Sequence, residues 1–384
     1  MFPRDTDETV QQGPLELVKC CGEGNCGLLQ LKHSFDASEM YGVNYGYRSS
    51  LNSSMVDHLK SKMAALTARH PVHPGDVVLD IGSNDGTLLS FAPPHAHRIG
   101  MDPTIAKFRN FYPSGVDAFS GFFSAESFFE RTKSRAHLVT SIAMLYDLES
   151  PISFMEQVAS ILADDGLWHF EQSYLPSMLS KNTYDTICHE HLEYYALHQI
   201  EWMVSKCGLR ILDVELNDIN GGSFAVTVCK QLAFHKSNHE SIEAILEFER
   251  SQELQKIATF EEFKMRVFTH RDRLREMVHR INKSGLSILG YGASTKGNVL
   301  LQFCGFGPDD IRGIAEINED KFGAVTPGTN IPIISEAEAR ELNPDYFLVF
   351  PWHFRSHIIS REARFLENGG RMIFPLPSIE VYPR

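Results

Sequence analysis

The sequence predicts an α/β protein. A doubly wound, mostly parallel sheet is followed by a second, smaller α/β unit, and a small cysteine-bearing module stands in front. Three observations carry this. Residues 77–88, VVLDIGSNDGTL, read as a β-strand that runs into a glycine-bracketed loop and then a helix. Between residues 77 and 228 strand-like apolar runs alternate with helical patterns. At residue 286 the pattern restarts with LSILGYGASTKG, again a strand, a glycine turn and a helix start.

Taken in order, residues 15–18 are strand-like and lead into a cysteine turn, Cys20-Cys21-Gly22-Glu23-Gly24-Asn25-Cys26-Gly27. Thiols on a tight glycine turn make half of a zinc site, with Cys20 and Cys26 as candidate ligands; His33 is the one near addition, and a loop of unligated thiols is the alternative. Residues 41–50 form a loop with three tyrosines, among them Tyr45 and Tyr47, offering stacking faces and hydroxyls or simply packing. Residues 52–70 carry Met55, Leu59, Met63 and Leu66 at helical spacing.

Strands are expected at 77–81, 97–101, 138–142, 166–172 and 211–214, with an antiparallel late strand at 224–229 and a helix at 152–162. Residues 238–282 hold charges and a recurring apolar face that includes Phe248 and Ile257, which reads as two connecting helices. In the last unit, 345–350 and 372–374 read as strands, the first ending in an exposed-looking aromatic tip, Pro351-Trp352-His353-Phe354. The expected organisation is therefore a module over 1–50, a core over 51–235, a helical connector over 236–284 and a C-terminal domain over 285–384.

Bulk properties narrow the function. The chain has 384 residues, of which 43% are hydrophobic, so a sizeable core is available. A net charge of -13 argues against a general nucleic-acid binder. No run is apolar and long enough to span a membrane, and no signal peptide is visible. Seven cysteines, an odd number, suggest a reducing compartment without a disulfide framework; a cytoplasmic monomer or dimer is expected.

Two stretches carry chemistry. The loop after the 77–81 strand lacks a GK[ST] sequence and the Gly-x-Gly-x-x-Gly spacing. The stretch 184–195, YDTICHEHLEYY, holds two histidines, two glutamates, three tyrosines and a cysteine, a composition unlike that of a core segment. It is not HExxH, and it suits acid–base chemistry better than a metal pair; a surface segment with hydrogen-bonded histidines is the alternative. Ser294, Thr295 and Lys296 at a helix start suit an anion such as a pyrophosphate.

The glycine loop, Val78-Leu79-Asp80-Ile81-Gly82-Ser83-Asn84-Asp85-Gly86, resembles motif I of the S-adenosylmethionine (SAM) dependent class I methyltransferases. Asp102, at the end of the next strand, fits an acceptor for the ribose hydroxyls, and Ser141 sits on the lip of a central strand. The resemblance implies cofactor contacts at Asp80, Gly82, Asn84, Gly86, Asp102 and Ser141.

Nearly the whole chain resembles the sugar C-methyltransferases that act on nucleotide-linked keto-deoxysugars. The carriers are the cysteine turn leading into Cys26-Gly27-Leu28-Leu29-Gln30-Leu31, the SAM loop, the Glu190-His191 pair and the GYGASTKGN loop. That family has an N-terminal zinc module and a Rossmann-like C-terminal domain. The resemblance implies His191 as the base, with Glu190 orienting its ring, and an enolate oxygen stabilised by Tyr47, Tyr45 or Tyr194. It also implies Ser294, Thr295 and Lys296 on the nucleotide diphosphate, with Trp352 as a further substrate contact. Three departures stand out. The family's first cysteine pair is missing, which suggests a truncated start; Cys188 stands where some members have tyrosine, and Tyr146 where some have histidine. Transfer to oxygen or nitrogen, or SAM or nucleotide binding without catalysis, are the rival readings; a metal hydrolase using His189 and His191 is the weakest.

Overall fold

In the computed structural model of the protein the described residues are 2–5, 7–8, 10–22, 24–41 and 45–383. Gly42, Val43 and Asn44 of the tyrosine loop and Glu23 of the cysteine turn lie outside them.

The strands are β1 (Leu17–Lys19), β2 (Leu29–Leu31), β3 (Val77–Ile81), β4 (His97–Asp102), β5 (Val116–Ser120), β6 (Ala136–Ile142), β7 (Leu162–Ser173) and β8 (Glu193–Tyr194). After them come β9 (Leu209–Asn217), β10 (Ser223–Lys230), β11 (Ile288–Tyr291), β12 (Ile314–Glu316), β13 (Ile333–Ser335), β14 (Tyr346–Val349), β15 (Arg371–Phe374) and β16 (Glu380–Tyr382).

The central sheet runs β5-β4-β3-β6-β7-β10-β9. β3 to β7 are parallel neighbours, and β10 lies antiparallel between β7 and β9. Every residue of β3 is buried, as expected for a strand covered by helices on both faces. The chain leaves β3 towards β4 on one side and β6 on the other, so the carboxyl ends of these strands open a crevice at the switch point. The helix Ser53–Arg69 lies against the sheet through Met55, Leu59, Met63 and Leu66, and Asn52 caps it by accepting from the Ser54 N–H. Trp168, Phe170 and Phe224, fully buried, anchor the core beneath the crevice, each worth about 2–3 kcal/mol of burial.

The second sheet, β13-β12-β11-β14-β15-β16, is parallel except for β16. The helices His239–Ser251 and Ile257–Lys283 join the two units. Their inward stripe differs from the expected one at two positions. Phe248 is 42% exposed and Ile257 55% exposed. Ile257 opens its helix beyond the packed stripe, and the first helix buries Glu249 alongside Ile242 and Leu246. Glu249 is buried because it is fully used: it accepts from Tyr174 OH at 2.9 Å, Leu197 N at 2.5 Å and His198 Nδ1 at 2.9 Å.

The cysteine-bearing module shares its sheet with the core. β1 and β2 pair antiparallel, and β8 completes their sheet through Leu29 opposite Tyr194 and Gln30 opposite Glu193. The segment that carries His191 is thereby stitched to the N-terminal module. Among the described residues no helix is long and apolar enough to cross a membrane.

Candidate active site

The crevice at the end of β3 opens into a cavity of about 1440 Å³ whose walls come from all three sheets' surroundings. Asp80, Gly82, Asn84 and Asp102 form one wall. Gly82 (φ 73°) and Asn84 (φ 50°) both take the left-handed conformation, which turns the loop back over the strand ends. A side chain at Gly82 would press within 3.3 Å of Met144 on that same wall. Asp102 pins the loop: one oxygen accepts the Asn84 N–H at 2.9 Å, the other the Thr104 N–H at 2.6 Å. Asp80 accepts from Thr140 Oγ1 at 2.6 Å, and burial pushes its carboxyl up to about 7. Asn84 also reaches outward, accepting from Ser49 N and donating to the Tyr47 carbonyl. The tyrosine loop is thus tied to the glycine loop, and Tyr45 and Tyr47 both line the cavity.

His191 stands on the opposite side, with Glu190 beside it. Its Nδ1 lies 2.7 Å from the Thr186 carbonyl and 3.2 Å from Thr186 Oγ1. A carbonyl only accepts, so Nδ1 carries the proton and the Nε2 lone pair is left for chemistry. Burial pushes the imidazole down to about 4, the Lys296 charge adds to this, and the Thr186 bond opposes it. The ring is neutral at pH 7 and packs edge-on against Tyr146, centroids 4.5 Å apart. The expected orienting partner was Glu190. The structure gives that part to Thr186, while Glu190 accepts from Thr295 Oγ1 at 3.4 Å. Burial also raises the Glu190 carboxyl above its ordinary value.

The C-terminal unit supplies the third wall. Ser294 caps the helix Thr295–Cys304 by accepting from Gly297 N, so the helix start faces the cavity with Thr295 and Lys296. Lys296 Nζ donates to the Asn220 carbonyl at 2.8 Å, bridging the units. The carboxylate at the end of β12, Glu316, is consumed internally by Ala293 N, Asn318 N and Lys321.

Four expected contacts fall outside the cavity wall. Ser141 is fully buried and accepts from Trp168 Nε1 at 2.9 Å. Gly86 lies behind the loop, where a Cβ would sit 2.9 Å from the Tyr112 ring. Tyr194, in β8, is buried with its hydroxyl unpartnered. Trp352 is not an exposed tip: it is 7% exposed and donates Nε1 to Asp185 Oδ2 at 2.8 Å. The whole 184–195 stretch is more buried than its composition implied: Tyr184, Asp185 and Thr186 bond to distant elements and to His191, while Asp185 Oδ1, Glu193 Oε2 and the Tyr194 and Tyr195 hydroxyls are buried without a partner.

The structure adds residues that sequence reasoning missed. Gln172, on β7, lines the cavity while 1% exposed, and both its amide atoms lack a partner. Tyr41 donates to the Glu190 carbonyl, and Glu171 on the same wall accepts from His58 at 2.6 Å and pairs with Lys62 at 3.1 Å. A strand-end glutamine with no local motif offers no sequence signal.

Metal-ligating atoms gather at one place among the described residues, where Cys188, Glu190 and His191 bring theirs within 4.8 Å of one another. The cysteine turn does not fit the expected zinc site. Cys20 is half-buried while Cys21 and Cys26 are exposed, all three are free thiols, and His33 lies beside Glu16 rather than among them. A tetrahedral site needs four converging ligands, and no group of three converges there among the described residues.

Residues 55–214 match the methyltransferase domain family, and residues 218–377 match the C-methyltransferase C-terminal domain family. Over 373 residues, 96% of this chain and 87% of the relative, the sequence is 34% identical to the C-methyltransferase NovU of Streptomyces niveus. The chain belongs to the SAM-dependent C-methyltransferases. Solved structures similar to this C-methyltransferase include a SAM-dependent methyltransferase from Clostridium acetobutylicum, matched over 46% of this chain and 92% of that one at 14% identity and a TM-score of 0.38. Another is the mitomycin 7-O-methyltransferase MmcR, matched over 47% of this chain and 55% of that one at 15% identity and a TM-score of 0.38.

Proposed function

We propose that this C-methyltransferase acts on a nucleotide-linked keto-deoxysugar, with His191 as the base that makes the carbon nucleophilic. The observation that carries the reading is the His191 imidazole: neutral, lined on the cavity, with Nδ1 committed to the Thr186 carbonyl. Transfer to carbon needs a carbanion equivalent, and a proton next to a ketone is acidic enough for a positioned base to remove. Nε2 takes that proton, and the C–H electron pair becomes the enolate.

The residues facing that oxygen are tyrosines. Tyr45 and Tyr47 line the cavity, and burial raises the Tyr45 hydroxyl above its ordinary value, so it stays a donor. Asp80, Gly82, Asn84 and Asp102 are the residues suited to hold SAM: a reversed glycine loop with carboxylates at both flanking strand ends. When bound, SAM supplies the electrophilic methyl group. Ser294, Thr295 and Lys296 suit the diphosphate, which serves as a remote handle for placing the sugar. The domain bounds of 1–50, 51–235, 236–284 and 285–384 remain part of this reading.

The test uses SAM with a carbon-13 methyl group and a panel of nucleotide-linked 4-keto-deoxysugars. A new carbon signal in the C–CH3 region on one of them supports the reading. Methylation of carbon acids that lack a nucleotide, with none on the panel, contradicts it.

A further inference from the structure

His191 is held by a turn that is itself held from the other domain. The turn Tyr184–Thr186 places three consecutive side chains or carbonyls on three partners. Tyr184 OH lies 3.0 Å from His270 Nδ1 on the long connecting helix, and His270 Nε2 lies 2.6 Å from the Pro375 carbonyl after β15. Asp185, 0% exposed, accepts from Trp352 Nε1 at 2.8 Å across 167 residues of sequence. Thr186 then gives its carbonyl to His191 Nδ1.

The Trp352 ring is also wedged against Gly221, where a Cβ would sit 2.9 Å from its Cη2. The neighbouring Asn220 carbonyl is the one that accepts from Lys296. Trp352 therefore touches both the turn that carries Thr186 and the core turn whose Asn220 carbonyl accepts from Lys296.

A buried carboxylate is an expensive way to pack an interface. Asp185 Oδ1 has no partner, and a leucine against a phenylalanine would fill the space without that cost. What the polar pair supplies instead is direction. It fixes the azimuth of one peptide unit, and the next carbonyl in line decides which imidazole nitrogen bears the proton.

We propose that Trp352 and Asp185 are positioning residues: their hydrogen bond across the domain interface aims the Thr186 carbonyl at His191 Nδ1 and so fixes the tautomer of the base. The competence of the base is then conditional on docking of the C-terminal domain, which also carries the helix start assigned to the diphosphate. The inference rests on the reading of His191 as base for its consequence, but not for its test.

The test is nitrogen-15 NMR on the full-length protein labelled at histidine, with the His191 resonances identified by their loss in His191→Asn. Wild type is expected to show two well-separated ring nitrogens, Nδ1 protonated and Nε2 not. Trp352→Phe, which removes the donor and keeps an aromatic ring, is expected to bring the two resonances towards a tautomeric average with SAM affinity unchanged. Asp185→Asn, which keeps an acceptor for Trp352, is expected to retain the wild-type pattern, and Asp185→Leu to lose it. Should Trp352→Phe fail to fold, the Asp185→Asn and Asp185→Leu pair makes the same comparison. A single Nδ1-protonated tautomer surviving in Trp352→Phe or Asp185→Leu overturns the proposal. Turnover surviving in His191→Asn would instead remove the base assignment and leave the tautomer result standing.

Discussion

The Ser49 N–H donates to Asn84 Oδ1 at 3.0 Å, joining the tyrosine loop to the glycine loop at the tip of β3. Asn84 Nδ2 returns a bond to the Tyr47 carbonyl at 3.1 Å, and the Ser50 N–H reaches Asp85 Oδ2 at 3.0 Å. One asparagine side chain thus sets the distance between the residues assigned to SAM and those assigned to the enolate oxygen.

Asn84→Ala is therefore expected to weaken both ends together. Its side-chain bonds to Ser49 and Tyr47, each worth about 1 kcal/mol, order the loop assigned to SAM, so losing them predicts a SAM Kd raised roughly tenfold or more. Calorimetric titration with SAM checks the size. Unchanged affinity would mean that the two loops hold their places without this bridge.

Ser141→Ala should behave in the opposite way. Its hydroxyl accepts from Trp168 Nε1 deep in the core, and deleting it leaves that indole N–H unpartnered. The expected cost is about 1–3 kcal/mol of stability, read by chemical denaturation. SAM affinity should stay at the wild-type value, since the side chain does not reach the cavity.

The pH dependence follows from the neutral imidazole. A base works only when unprotonated, so kcat/KM should be level near neutrality and fall as pH drops through the His191 pKa, pushed by burial to about 4. The Lys296 charge helps hold that value down. In Lys296→Met the acid limb of the pH–rate profile should move to higher pH, alongside a raised KM for the nucleotide sugar. An acid limb that stays in place would separate Lys296 from the base.

Glu171 links folding to acid. Burial pushes its carboxyl up, but His58 and Lys62 outweigh burial and hold it down to about 2, against an ordinary 4.5. A depressed carboxyl pKa stabilises the folded state above pH 4.5, and that contribution is lost as pH falls towards 2. Glu171→Gln should cost on the order of 3 kcal/mol at pH 7 and flatten the loss of stability in that acid window, read by thermal melts across pH.

Much of this was legible beforehand, for physical reasons. Val77–Ile81 announced itself as a strand because it is buried on both faces and so opens with an apolar run, Val77-Val78-Leu79, and the glycine loop because its left-handed positions at Gly82 and Gly86 favour glycine. Short edge strands such as Val116–Ser120 and Ile333–Ser335 did not, since a mixed, half-exposed segment carries no clear period. Trp352 looked like an exposed tip because its partner, Asp185, is 167 residues away. The part played by Thr186 was hidden for a different reason: its carbonyl does the work, and every residue has one. Hydrogen bonds explain the buried Glu249 and the pair with Lys62 the buried Glu171, which composition alone assigns to the surface.

The central claim is that Nε2 of His191 removes a proton from carbon. The most direct measurement places a nucleotide-linked 4-keto-deoxysugar in deuterium oxide with the enzyme and S-adenosylhomocysteine, so that no methyl group is transferred. Proton NMR then follows exchange at the carbons beside the ketone. Wild type is expected to exchange one position and His191→Asn none, with SAM affinity retained in both. Equal exchange by the two proteins would contradict the account.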